Sequence, residues 1–61
     1  MTSQELFEEM EQYWLSFKAD HERFIQRGTK TAASRARRSI NELKKIATKY
    51  RTTQLTEAKT Q

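Results

Sequence analysis

Apolar residues in the first 27 positions recur at helical spacing. Leu6, Phe7, Met10, Tyr13, Trp14, Phe17, Phe24 and Ile25 fall, at about 100° per residue, within an arc of about 120°. Met10, Phe17 and Phe24 repeat every seven residues, with Leu6 and Tyr13 between them and Phe7 and Trp14 alongside. This predicts an amphipathic helix over about 3–27 with a broad core-facing stripe. Farther along, Ala33, Ala36, Ile40, Leu43, Ala47 and Tyr50 alternate spacings of three and four. They predict a second helix over about 31–52 with a thin heptad seam. Five of the six aromatics lie on the first helix, so bulky residues face small ones across the pair.

The punctuation agrees with two helices. Thr2-Ser3-Gln4-Glu5 has capping-box spacing, with Glu5 placed to reach back to the cap. Gly28 is the one glycine and follows the first apolar stripe, where a left-handed residue ends a helix. Thr29 or Thr31 then caps the next helix through its hydroxyl. The chain has no Pro and no alternating pattern, so strands are not expected. The expected fold is all-α, an antiparallel hairpin of two long helices. Phe24 should lie over Ala33 and Ala36, Phe17 near Ile40 and Leu43, and Tyr13 and Met10 near Ala47 and Tyr50. Residues 53–61 lose the seam and are expected to fray.

Trp14, Phe7 and Ile25 on one edge, and Ile46 on the other helix, widen the apolar arc beyond one partner's reach. Self-association follows, as a dimeric four-helix bundle. Its core would comprise Leu6, Phe7, Met10, Tyr13, Trp14, Phe17, Phe24, Ile40, Leu43, Ala47 and Tyr50. Composition strengthens this expectation: 61 residues, 34% of them apolar, make too small a core for comfortable stability alone. Neither disulfides nor a metal-ligand cluster are available as staples, because the chain has no Cys and one His. His21, flanked by Asp20 and Glu22, does not make a metal set, since sequence neighbours point to different helix faces. It is read as a packed or half-packed member of the stripe. The absence of Cys fits a reducing compartment. No apolar run approaches the roughly 18 residues that span a membrane, so a soluble, cytoplasmic protein without cofactors is expected.

The net charge of +4 hides an asymmetry. Residues 1–27 carry six acids against three bases, or −3; residues 28–61 carry nine bases against two acids, or +7. Opposite the second seam lie Ser34, Arg38, Asn41, Lys45, Lys49 and Thr52, with Arg37, Lys44 and Arg51 on one shoulder and Arg35 on the other. Arg and Lys bond phosphate oxygens, and Ser, Thr and Asn assist them. Lys30 adds a cation beside the N-terminus of the second helix. A plain solvated face would mix signs; this one has a single acid, Glu42, within residues 28–56. Nothing in it reads base edges. The helix-one aromatics sit among acids, which favours a core role over base stacking. Arg35-Ala36-Arg37-Arg38-Ser39 has the look of a basophilic kinase site but reads better as ordinary helix. No nucleophile–base pair, phosphate loop or carboxylate pair points to an enzyme.

The stretch from Arg27-Gly28-Thr29-Lys30 through Ala32-Ala33-Ser34-Arg35-Ala36-Arg37 to Leu43-Lys44-Lys45-Ile46-Ala47-Thr48-Lys49-Tyr50-Arg51 resembles the bacterial histone H1-like nucleoid proteins. The resemblance covers 25 to 30 residues and rests on the joint register of turn, alanines, arginines and basic run. It implies sequence-independent binding of double-stranded DNA, self-association, and a place in nucleoid organisation or compaction. Lys30, Arg35, Arg37, Arg38, Lys44, Lys45, Lys49 and Arg51 become the DNA-contact candidates. That family continues into a long Lys/Ala-rich tail, whereas Thr52–Gln61 here is nearly neutral. Bridging would therefore come from two basic faces on one oligomer. The alternative is a helical interaction module whose basic face meets an acidic protein. A membrane-surface helix fits less well, because anionic lipid would repel the acids around Trp14.

Overall fold

A computed structural model describes residues 1–59 of the chain. Helix α1 spans Ser3–Arg27 and helix α2 spans Lys30–Lys59. They pack antiparallel into a rod of 48 × 14 × 14 Å, whose length is close to the roughly 45 Å rise of a 30-residue helix.

Local chemistry starts and stops α1. The Thr2 hydroxyl accepts from the Glu5 backbone N–H at 3.2 Å, and Glu5 Oε1 accepts from the Thr2 backbone N–H at 3.0 Å. This completes the capping box. At the other end Gly28 is left-handed (φ 64°), and its N–H donates to the Phe24 carbonyl at 2.7 Å. The reversal occupies only Gly28 and Thr29. Thr29 takes the cap position of α2, and its carbonyl accepts from Ala33 N–H at 3.2 Å. Contrary to expectation, neither Thr29 nor Thr31 caps α2 through its hydroxyl.

The inner face of α2 differs from the expected seam. Ala32, Ser39 and Ile46 are buried, with Ala36, Leu43 and Tyr50 half-buried between them. Ile46, expected on an outer edge, is only 5% exposed, whereas Ile40, expected inside, is 40% exposed. Two heptad strips run side by side on α2. They share Ala36, Leu43 and Tyr50; one adds Ala32, Ser39 and Ile46, the other Ala33, Ile40 and Ala47. The first strip is the one turned inward. The same duplication exists on α1. Its inner strip is Leu6, Met10, Tyr13, Phe17, Asp20 and Phe24; a second strip shares Met10, Phe17 and Phe24 and adds Phe7, Trp14 and His21.

The interior is slight. Leu6, Ala32 and Ile46 are its only buried apolar side chains among the described residues, and buried Asp20 and Ser39 add polar positions to the same seam. Ser39 Oγ reaches Ser16 Oγ at 3.5 Å. The accessible surface is 5140 Å², against about 4,200 Å² expected for a compact monomer of this mass.

Helix α2 also runs past Thr52, where the seam was expected to end, to Lys59. The reason is tertiary. Glu57 accepts a hydrogen bond from the Ser3 backbone N–H at 2.8 Å and another from the Ser3 hydroxyl. A carboxylate at a helix N-terminus is favoured by the dipole and satisfies an otherwise unpaired donor. The Ser3 hydroxyl first, and then its N–H, hold the Glu57 carboxyl below its ordinary value. Residues 60 and 61 of the expected frayed segment lie outside the described residues.

Candidate nucleic-acid interface

The rod has two unlike long faces. On one, Phe7, Met10, Glu11 and Trp14 of α1 line a shallow groove with Leu43 of α2. Phe7 and Trp14 are each 50% exposed. Trp14 and Phe17 lie 5.7 Å apart between ring centroids, and Phe17 stacks on His21 at 6.0 Å. His21 is thus in the aromatic row, as expected, but solvent-exposed rather than packed. Of the expected oligomer core, Leu6 is buried and Met10, Tyr13, Phe17, Leu43, Ala47 and Tyr50 are half-buried within one hairpin. Phe7, Trp14, Phe24 and Ile40 remain exposed there.

The remaining surface of α2 is cationic. Lys30, Arg35, Arg37, Arg38, Lys44, Lys45, Lys49 and Arg51 are all exposed. Among the described residues Lys45 alone of these forms an ion pair, at 3.5 Å to Glu42 one turn away. Among the described residues no acid of α1 comes within ion-pair distance of an α2 cation. From Lys30 to Arg51 the cations span about 32 Å of helix, close to one turn of B-DNA.

Lys30 stands at the turn, and the other seven fall into two groups. Arg35, Arg38, Lys45 and Lys49 lie on the side of α2 away from Ile40 and Ala47. Arg37, Lys44 and Arg51 each follow a shared seam residue (Ala36, Leu43, Tyr50) and so border the apolar face. The expected polar helpers Ser34, Asn41 and Thr52 are all exposed. Thr48, Thr52 and Thr56 donate their hydroxyls to the carbonyls of Lys44, Thr48 and Thr52 at 3.3, 3.3 and 3.1 Å. Sequence reasoning missed the buried Asp20 and the anchoring Glu57. The seven-residue spacing from Leu6 and Tyr13 to Asp20 was the available signal for the first; nothing local signals the second.

No three His, Asp or Glu residues come together as a metal set among the described residues, and no described helix is long and apolar enough to cross a membrane. Compared with protein families, residues 4–60 match Histone H1-like protein Hc1. The chain belongs to this family. Comparisons with curated proteins and with solved structures gave no match. The Hc1 family is one of structural DNA-binding proteins and not of enzymes, and membership points to DNA as partner and to the nucleoid as location.

Proposed function

We propose that this Hc1-family hairpin binds duplex DNA without regard to sequence, through its outward α2 cations, and contributes to nucleoid organisation as a self-associated four-helix bundle. The carrying observation is the row of exposed cations, all but Lys45 without an ion-pair partner among the described residues, on a rod whose opposite face is apolar. An unpaired row of this kind exchanges condensed counterions for phosphate contacts. Arg35, Arg38, Lys45 and Lys49 form its centre, with Lys30 at the turn end. Arg and Lys on this face are assigned to the phosphate backbone, which positions a protein on DNA without carrying sequence information.

Self-association is favoured by the exposed second strips, Phe7 and Trp14 on α1 with Ile40 on α2, and by a hairpin interior with three buried apolar side chains among the described residues. Burying the apolar faces of two hairpins against each other turns their basic faces outward in opposite directions. One assembly then touches two duplexes, which is the geometry of bridging.

The test is a titration of random duplex DNA across salt concentrations. Replacing Arg38, Lys45 and Lys49 together by Gln should reduce the slope of log affinity against log salt by up to about 2.7, at roughly 0.9 per phosphate contact. An unchanged slope removes these residues from the interface. Binding to an acidic protein in preference to DNA at equal salt would favour the interaction-module reading instead.

A further inference from the structure

The second strips of the two helices are unlike in size and in the charge that borders them. On α1 the strip is bulky: Phe7, Met10, Trp14, Phe17, His21 and Phe24. On α2 it is smaller: Ala33, Ala36, Ile40, Leu43, Ala47 and Tyr50. Beyond it α2 presents Arg37, Lys44 and Arg51, one every seven residues, all exposed. On α1 the residues that likewise follow the shared Met10, Phe17 and Phe24 are Glu11, Lys18 and Ile25, and the next row out is Glu8, Leu15 and Glu22, so the two rows together carry three acids and one base. Glu11 lines the same groove as Phe7, Trp14 and Leu43, which sets this acidic edge directly beside the apolar face.

Two hairpins joined through these faces have two ways to pair. If like helices meet, α1 on α1 and α2 on α2, then Arg37, Lys44 and Arg51 face the same three cations of the second copy, and bulky rings meet bulky rings. If unlike helices meet, the cations face an edge of net −2, and large side chains meet small ones. Like charges in register oppose association and unlike charges select it.

We propose that the assembly pairs each α1 with the α2 of the second copy, and that Arg37, Lys44 and Arg51 read that copy rather than DNA. The inference rests on the self-association argued above and divides the cations of α2 by task. The shoulder row specifies the partner helix; Arg35, Arg38, Lys45 and Lys49 remain for phosphate. Helix neighbours are then antiparallel throughout, and the two-fold axis runs along the bundle.

Complementary charge reversal tests this with full-length chains. One variant carries Arg37→Glu, Lys44→Glu and Arg51→Glu; the other carries Glu8→Lys, Glu11→Lys and Glu22→Lys. Each alone should self-associate about tenfold or more weakly than the native chain by sedimentation, because several exposed ion pairs become repulsions. An equimolar mixture should recover a two-chain mass, with circular dichroism confirming that each variant is helical. Variants that self-associate like the native chain, or a mixture no tighter than its components, overturn the pairing. A third variant, Arg37→Gln, Lys44→Gln and Arg51→Gln, should weaken self-association and leave the DNA salt slope per chain unchanged. Tighter self-association would indicate that α2 meets α2, and a slope reduced by about 2.7 would return these residues to the DNA face; either result overturns the proposal. A native chain that is monomeric at every concentration overturns self-association itself, while its own salt slope still reports on DNA binding.

Discussion

The two heptad strips of each helix differ by a single residue step, yet they meet opposite environments. The inner strips close on each other within one chain and bury Leu6, Ala32 and Ile46. The outer strips hold the larger side chains and leave Phe7, Trp14 and Ile40 in solvent. The inner strips bury few apolar side chains, and the outer strips leave large ones exposed. The inner strip holds the hairpin together; the outer strip is the face on which the proposed pairing with a second copy rests.

Breaking the inner strip should have the largest effect. Ile46→Ala removes one of the three apolar side chains buried among the described residues and should cost about 2–4 kcal/mol, seen as a lowered urea midpoint by circular dichroism. Breaking the outer strip should look different. Trp14→Ala leaves the hairpin helical but should cost about 3 kcal/mol of association, seen as a concentration-dependent loss of mass in sedimentation. Equal effects of both substitutions on helicity would mean that the strips are not separate.

The turn comes next in size. A Cβ at Gly28 meets open space, so Gly28→Ala should cost only the left-handed backbone, about 1 kcal/mol by thermal melting. The smallest effect belongs to the ends. The Glu57 and Glu5 carboxyls are held below their ordinary values, Glu57 by Ser3 and Glu5 by the backbone N–H and hydroxyl of Thr2. A lowered folded value means stability that is present above the unfolded value near 4.5 and lost as pH falls through the folded one. Glu57→Gln should therefore flatten the loss of helicity below about pH 4.5 and leave the neutral-pH melting temperature slightly lower.

What could be read in advance was local. The Thr2–Glu5 box and the Gly28 stop depend on residues within one turn, and both helix cores follow from apolar spacing. The inner strip of α2 was not legible, because Ala33-Ile40-Ala47 looks at least as apolar as Ala32-Ser39-Ile46. Glu57 was opaque for a different reason: its partner Ser3 lies 54 residues away. For the candidate site, charge alone pointed to all eight cations, and all eight are exposed. Their division into a group opposite the seam and a shoulder row of Arg37, Lys44 and Arg51 was also legible from helical spacing; which apolar strip that shoulder borders on the outside depends on the azimuth of α2 and became visible only in the fold.

The most direct measurement is the affinity of the native chain for random duplex DNA over a range of salt concentrations. The account predicts tight binding at low salt, a steep linear fall of log affinity with log salt, and the same line for duplexes of unrelated sequence. A flat line, or affinities that separate by sequence, would contradict it.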